Sequence, residues 1–360
     1  MPFIDDILKY KSLSIVGLEK NTGKTECLNY ILKNINKDEH NIAVTSIGID
    51  GESIDQVTQT KKPEITIYEN MYFVTSEKHY KQKKITSEII DVTDFNTSLG
   101  RLVIAKAKDD GKVMISGPAD TSSTKKLINL LSDNYNINLT IVDGALSRLS
   151  PSSPAVTEAM ILSTGAAVSL NLNSLITQTK FITDLINISS IDSYFYDKLI
   201  NCTDGIYNVI GYPKDNKDYN TNNNRNNIDI TTITKDIDVK KLPIKSLFTI
   251  QNNHSDLFKY SNTIYITGVL NDKVLNMAKI QKNIKDIYII VKDFTKIFVK
   301  PETYYSFIKK GGNILVLDKT YLIAVTINPT APSGYSFDSN TLQTTLHESL
   351  NIPVYDVLKQ

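Results

Sequence analysis

The chain carries almost no excess of either charge: Lys+Arg 40 against Asp+Glu 39 leaves a formal net charge of +1. No global field draws it to polyanions or to an acidic membrane face, so neither nucleic acid nor membrane is an expected partner. Arginine is scarce, with only Arg101, Arg148 and Arg225 present, which leaves three candidates for any bidentate grip on phosphate. The cysteines, Cys27 and Cys202, form no CxxC or zinc spacing, and none of His40, His79, His254 and His347 pairs with a cysteine or another histidine at ligand spacing. Thiols without a framework suit a reducing compartment. No run of about 18 apolar residues is unbroken, and the opening MPFIDDILKYK is acidic where a signal peptide needs a basic start. A cytoplasmic protein is expected.

What is present is ordinary globular composition, 41% hydrophobic and 22% charged over 360 residues, a length that suggests roughly two domains. Residues 12–17 (SLSIVG) read as a strand, and Leu28, Ile31, Leu32 and Ile35 follow at helical spacing. Further strands are expected at 41–48, 112–116 and 138–144. Paired short strands are expected near 64–75, and helices at 98–110 (closed by Gly111), 124–135, 155–168, 174–187 and 194–200. Strands alternating with helices imply βαβ units and a mostly parallel sheet covered on both faces. After a strand at 205–211, the Asn-rich tract 214–229 has no apolar periodicity and reads as a flexible loop or linker. A second α/β pattern follows: strands at 263–269, 286–291, 313–318 and 321–328, with helices at 271–283, 301–310 and 338–350. The division expected is a nucleotide-binding domain over 1–213, the linker, and a C-terminal α/β region over 230–360. Whether that region is a separate domain or continues the first sheet is open.

The sharpest local signal is Gly17-Leu18-Glu19-Lys20-Asn21-Thr22-Gly23-Lys24-Thr25, set between the first strand and the first long amphipathic helix. That is the context of a phosphate-binding loop, and the fold class expected is a P-loop NTPase-like α/β fold. Gly17 and Gly23 permit the turn, and main-chain N–H groups through Lys20, Asn21, Thr22, Gly23, Lys24, Thr25 and Glu26 are expected to cradle phosphate at a helix N-terminus. Lys24 is expected to reach the β- and γ-phosphates and the Thr25 hydroxyl to ligate Mg2+. Five residues, rather than the commoner four, separate Gly17 from Gly23. Asp143, at the end of the apolar run Thr140-Ile141-Val142, is the candidate second Mg2+ ligand. Ser116-Gly117-Pro118 offers a hydroxyl at the same sheet edge. No N/TKxD element is suitably placed, so ATP is preferred to GTP. Lys20 and Arg148 are candidates for meeting developing negative charge.

The long loop resembles that of dethiobiotin synthetase and the cobyrinate amidases, in the signal-recognition and MinD-like division of P-loop proteins. The resemblance places an acid after the second strand, where Asp50 stands, and implies a role for it with Mg2+ or the attacking group. Lys20 is one position from the signature lysine of the MinD type. SLSIVGLEKNTGKTECLNYIL, VDGALSRLSPSSPAVTEAMILSTGAA and INPTAPSGYSFDS together resemble the reactivase subunits of clostridial lysine 5,6-aminomutase. That likeness implies an ATP-dependent chaperone that works with a MutS-like ATPase subunit to free damaged cobalamin from an adenosylcobalamin-dependent aminomutase, without itself holding that cofactor. Lys24, Asp50 and Asp143 would be the catalytic set, with residues 327–339 part of the nucleotide or partner surface. Two other classes share the loop: an ATP-dependent ligase or carboxylase resembling dethiobiotin synthetase, and a non-catalytic nucleotide-binding module.

Overall fold

The computed structural model describes residues 2–47, 65–145, 156–211, 238–244, 257–258 and 260–359. Asp50, Arg148 and the Asn-rich tract 214–229 lie outside them. The chain forms two compact units, one of residues 1–187 and 320–360, the other of residues 188–319.

The larger unit opens with helix α1 (Pro2–Ile7), strand β1 (Ser12–Gly17) and helix α2 (Lys24–Asn34), followed by β2 (Ile42–Ser46), β3 (Ile65–Ile67), β4 (Tyr72–Ser76) and α3 (Glu77–Gln82). A hairpin of β5 (Ser87–Thr97) and β6 (Gly100–Ala107), the short β7 (Gly111–Val113), α4 (Thr121–Tyr135), β8 (Leu139–Ala145), β9 (Ala159–Gly165) and α5 (Leu172–Ile186) complete its first stretch. The smaller unit holds α6 (Ser193–Ile200), β10 (Ile206–Ile210), β11 (Asp238–Lys241), β12 (Thr263–Ile266), β13 (Leu270–Asn271), α7 (Asp272–Lys279), β14 (Tyr288–Val291), β15 (Ile297–Phe298), α8 (Pro301–Lys309) and β16 (Asn313–Val316). The chain then returns to the larger unit as β17 (Tyr321–Asn328), α9 (Ser339–Leu350) and β18 (Val354–Tyr355).

The larger sheet has nine strands in the order β18-β17-β9-β1-β8-β2-β4-β6-β5. Pairing is parallel from β18 to β4 and antiparallel across β4, β6 and β5. Every residue of β1, β2 and β9 is buried, as strands covered on both faces require. On one face Leu13, Ile15, Val44 and Ile141 pack with Leu28, Ile31 and Leu32 of α2. On the other, Ala43, Val74, Leu102 and Ile104 pack with Leu127 and Leu131 of α4. The smaller unit has its own five-stranded sheet, β11-β10-β12-β14-β16, with Phe195 and Leu199 of α6 packed against Tyr207, Tyr265 and Ile290. No helix among the described residues is long and apolar enough to cross a membrane.

Several expectations need correction. The strands near 64–75 do not pair with each other: β4 joins the large sheet, while β3 pairs with β7, which spans 111–113 rather than 112–116, in a separate two-stranded ladder. The stretch 98–110 is not a helix: its residues 100–107 form the hairpin strand β6, with Leu102, Val103, Ile104 and Ala105 all buried and the chain turning at Gly100 with φ 95°. Residues 159–165 are β9, not part of a helix, again a uniformly buried run. β17 belongs to the first sheet: Tyr321 to Asn328 run parallel beside Ala159 to Gly165, with a register shift between Leu322 and Ala324. Residues 320–360 therefore leave the expected C-terminal region, and the first unit's opening stretch ends near Asn187 rather than at 213.

Candidate functional site

The parallel strands carry their C-terminal ends to one edge, and the candidate loop leaves from the middle of it. Gly17 closes β1, in register with Ala145 of β8 on one side and Ser163 of β9 on the other. Leu18 N–H still donates to the Ser163 carbonyl at 2.9 Å, so the loop departs only at Glu19. A Cβ on Gly17 would collide with Thr22 Oγ1 and lie 2.9 Å from Lys24 Cγ. The loop therefore folds back over its own first residue, and only glycine leaves room.

Its turns are made by left-handed residues, Asn21 at φ 64° and Gly23 at φ 88°. Thr22 is buried and its hydroxyl donates to the Glu19 carbonyl at 2.9 Å, fastening the loop internally. Gly23 is the N-cap of α2 and offers no side-chain cap. The first-turn N–H groups of an α-helix have no intrahelical acceptor, and Ser, Thr, Asn or Asp ordinarily supplies one at the cap. A glycine cap leaves those donors and the positive helix end facing the loop, which suits an anion. Lys24 and Thr25, both half-buried, occupy the first turn, with Glu26 exposed beside them.

Lys24 Nζ donates to the Gly144 carbonyl at 3.0 Å, so the amine already reaches across to the end of the neighbouring strand. Asp143 precedes it, paired with Ile15 in β1 and Ser46 in β2. Side chains two apart on a strand share a face; Ile141 packs in the cluster that contains α2, so Asp143 lies on the α2 face as well. Its Oδ1 is fully buried. Gly17, Asn21, Thr22, Gly23, Lys24, Thr25 and Asp143 thus converge on one edge of the sheet, with Lys20 exposed on the loop. Among the described residues no group of three or more His, Cys, Asp or Glu is gathered as a metal cage.

No family model matches the chain, and no curated protein or solved structure matches it either.

Two contacts escaped the sequence pattern, although both segments stand out in it. Asn328, at the end of β17, donates from Nδ2 to the Asn21 carbonyl at 2.8 Å and braces the loop from 307 positions away. Ser116 shares a 2.7 Å hydrogen bond with His79 Nδ1, both buried, while its carbonyl accepts from Thr45 Oγ1 at 3.2 Å. The hydroxyl is thereby enclosed and ties the segment before α4 to β2 and α3. Gly117 follows so close that a Cβ would strike the Ser46 carbonyl. No local periodicity announces either contact. The isolated NP and SGP turns are the only cues.

Burial pushes the Cys27 thiol, on the buried side of α2, up to about 12, so it is protonated and inert behind the loop.

Proposed function

We propose that the loop from Gly17 to Thr25 binds ATP with Mg2+, and that the chain is the nucleotide-driven subunit of a reactivating chaperone for an adenosylcobalamin-dependent aminomutase of the lysine 5,6-aminomutase type. The observation that carries the nucleotide half is the glycine-capped, uncapped-by-side-chain N-terminus of α2, with Lys24 in its first turn at the C-terminal edge of a parallel sheet. The chaperone half is supported by the family resemblance of the loop, the segment following Asp143 and residues 327–339.

The first-turn N–H groups of α2 bind phosphate oxygens, and Lys24 exchanges the Gly144 carbonyl for them. Thr25 and the half-buried Asp143, with its Oδ1 enclosed on the face that α2 covers, would hold a magnesium ion, which when bound would supply charge neutralisation to the phosphates. Asp50 enters through the resemblance alone. Lys24 and Gly144 connect the loop to β8, so a change at the phosphates is felt at the end of that strand. Work on an aminomutase then comes from different affinities of the nucleotide-bound and nucleotide-free states for that target and for the MutS-like subunit.

The test is calorimetric titration with ATP, with and without Mg2+. Lys24→Ala is expected to abolish binding while circular dichroism stays unchanged, since alanine is a good helix former at the first position of α2. Asp143→Asn is expected to reduce the gain from Mg2+ more than the affinity for free ATP. Wild-type affinity in Lys24→Ala removes the loop from the site. The chaperone half is tested by mixing the chain and its ATPase partner with mutase inactivated by hydroxocobalamin, then adding adenosylcobalamin: activity is expected to return only with ATP.

A further inference from the structure

We propose that the turn of residues 329–337 is the wall on which the nucleoside of a purine nucleotide stacks, with the ring of Tyr335 as its platform. This rests on the nucleotide reading of the loop at 17–25. β17 stands two strands from β1, with β9 between them, and ends at Asn328. The Asn328 amide holds the Asn21 carbonyl, and a Cβ on Gly23 would lie 3.2 Å from Asn328 Cβ. The turn is thus rooted against the rim of the phosphate cradle.

It is a built turn. Thr330 N–H donates to Asn328 Oδ1 at 3.1 Å, Ala331 N–H to the Tyr335 carbonyl at 2.8 Å, and Phe337 N–H to the Pro329 carbonyl at 3.0 Å. The Thr330 and Ser336 hydroxyls meet at 3.1 Å, and Gly334, at φ 88°, donates to the Ala331 carbonyl at 2.9 Å. Ala331 is buried beneath, while residues 332–336 face solvent.

Tyr335 remains 44% exposed although its ring is fixed edge-to-face with Phe337, centroids 5.0 Å apart and planes at 89°. Perpendicular packing leaves at least one face of the tyrosine uncovered by its neighbour. Core formation explains the half-buried Phe337 but not a large ring held at the tip of a rigid turn. Residues 329–337 also contain no charged side chain. A loop carrying Lys20, Lys24 and a helix N-terminus, joined to an uncharged wall bearing an ordered aromatic ring, divides a ligand into a phosphate half and a heterocyclic half. Stacking on an aromatic ring is worth roughly 5- to 150-fold in affinity per base.

The experiment is isothermal titration of the full chain with MgATP and, separately, with inorganic tripolyphosphate. Tyr335→Ala is expected to weaken MgATP by at least about fivefold and leave tripolyphosphate unchanged. Tyr335→Phe, which keeps the ring, is expected to bind MgATP like the wild type. Equal MgATP affinity in Tyr335→Ala and wild type overturns the platform while the phosphate loop stands. Equal weakening of both ligands also overturns it, because the residue would then act on the loop. A wild type that binds neither ligand overturns the loop and the wall together.

Discussion

At the scale of single residues, Gly17 decides whether the loop can close. A methyl group there meets Thr22 Oγ1 and the Lys24 side chain, and neither can retreat without opening the turn. Gly17→Ala is expected to cost about 1–3 kcal/mol of stability, the usual penalty of overpacking, and to lose most ATP affinity, read by urea denaturation and titration. This residue was legible in the sequence, since a glycine ending an apolar strand before GKT has few other uses. Asn328 was less so. An asparagine before proline looks like a turn former, and its bond to Asn21 depends on two strands that only the folded sheet makes near neighbours.

At the scale of elements, what the sequence reveals depends on contrast between faces. α2 shows a clear stripe because one side packs on Leu13 and Ile15 while Lys33 and Asn34 face water. The centres of β6 (residues 102–105) and β9 (residues 159–162) have no such contrast, being buried, and a short apolar run fits a helix as well as a strand. Caps are local and hence readable. Asp338 caps α9, its Oδ1 accepting from Thr341 N–H at 2.8 Å and Thr341 Oγ1 at 2.7 Å. These bonds, the backbone one foremost, hold its carboxyl below the ordinary value of 3.8. A carboxyl depressed in the fold stabilises it above the unfolded pKa, and the contribution disappears as pH falls through the folded value. Asp338→Ala is therefore expected to lower the melting temperature near neutral pH and to show a shallower loss than the wild type below pH about 4.

At the scale of the whole molecule, two units with separate cores should respond separately to a ligand that touches one. Calorimetry is expected to show unfolding that does not fit a single two-state transition. MgATP is expected to raise only the transition of the unit built from residues 1–187 and 320–360, by mass action. Failure of the proposed mutase reactivation with that shift intact would separate nucleotide binding from work on a mutase. The sequence showed both α/β patterns but not their boundary, because parallel pairing between distant segments leaves no local mark. The register of β17 on β9 was needed to see that the last forty-one residues, 320–360, rejoin the first sheet.

That return has a consequence for how the chain is made. When the ribosome has released Gly165, β9 has β1 on one side and an unpaired row of amides and carbonyls on the other, and 163 further residues must emerge before Asn328 does. At ordinary elongation speeds that interval is on the order of ten seconds or more. Throughout it the apolar edge of the nascent sheet is open to stray pairing, and the loop at residues 17–25 lacks its Asn328 brace. The loop at residues 17–25 thus takes its braced form only after Asn328 has emerged.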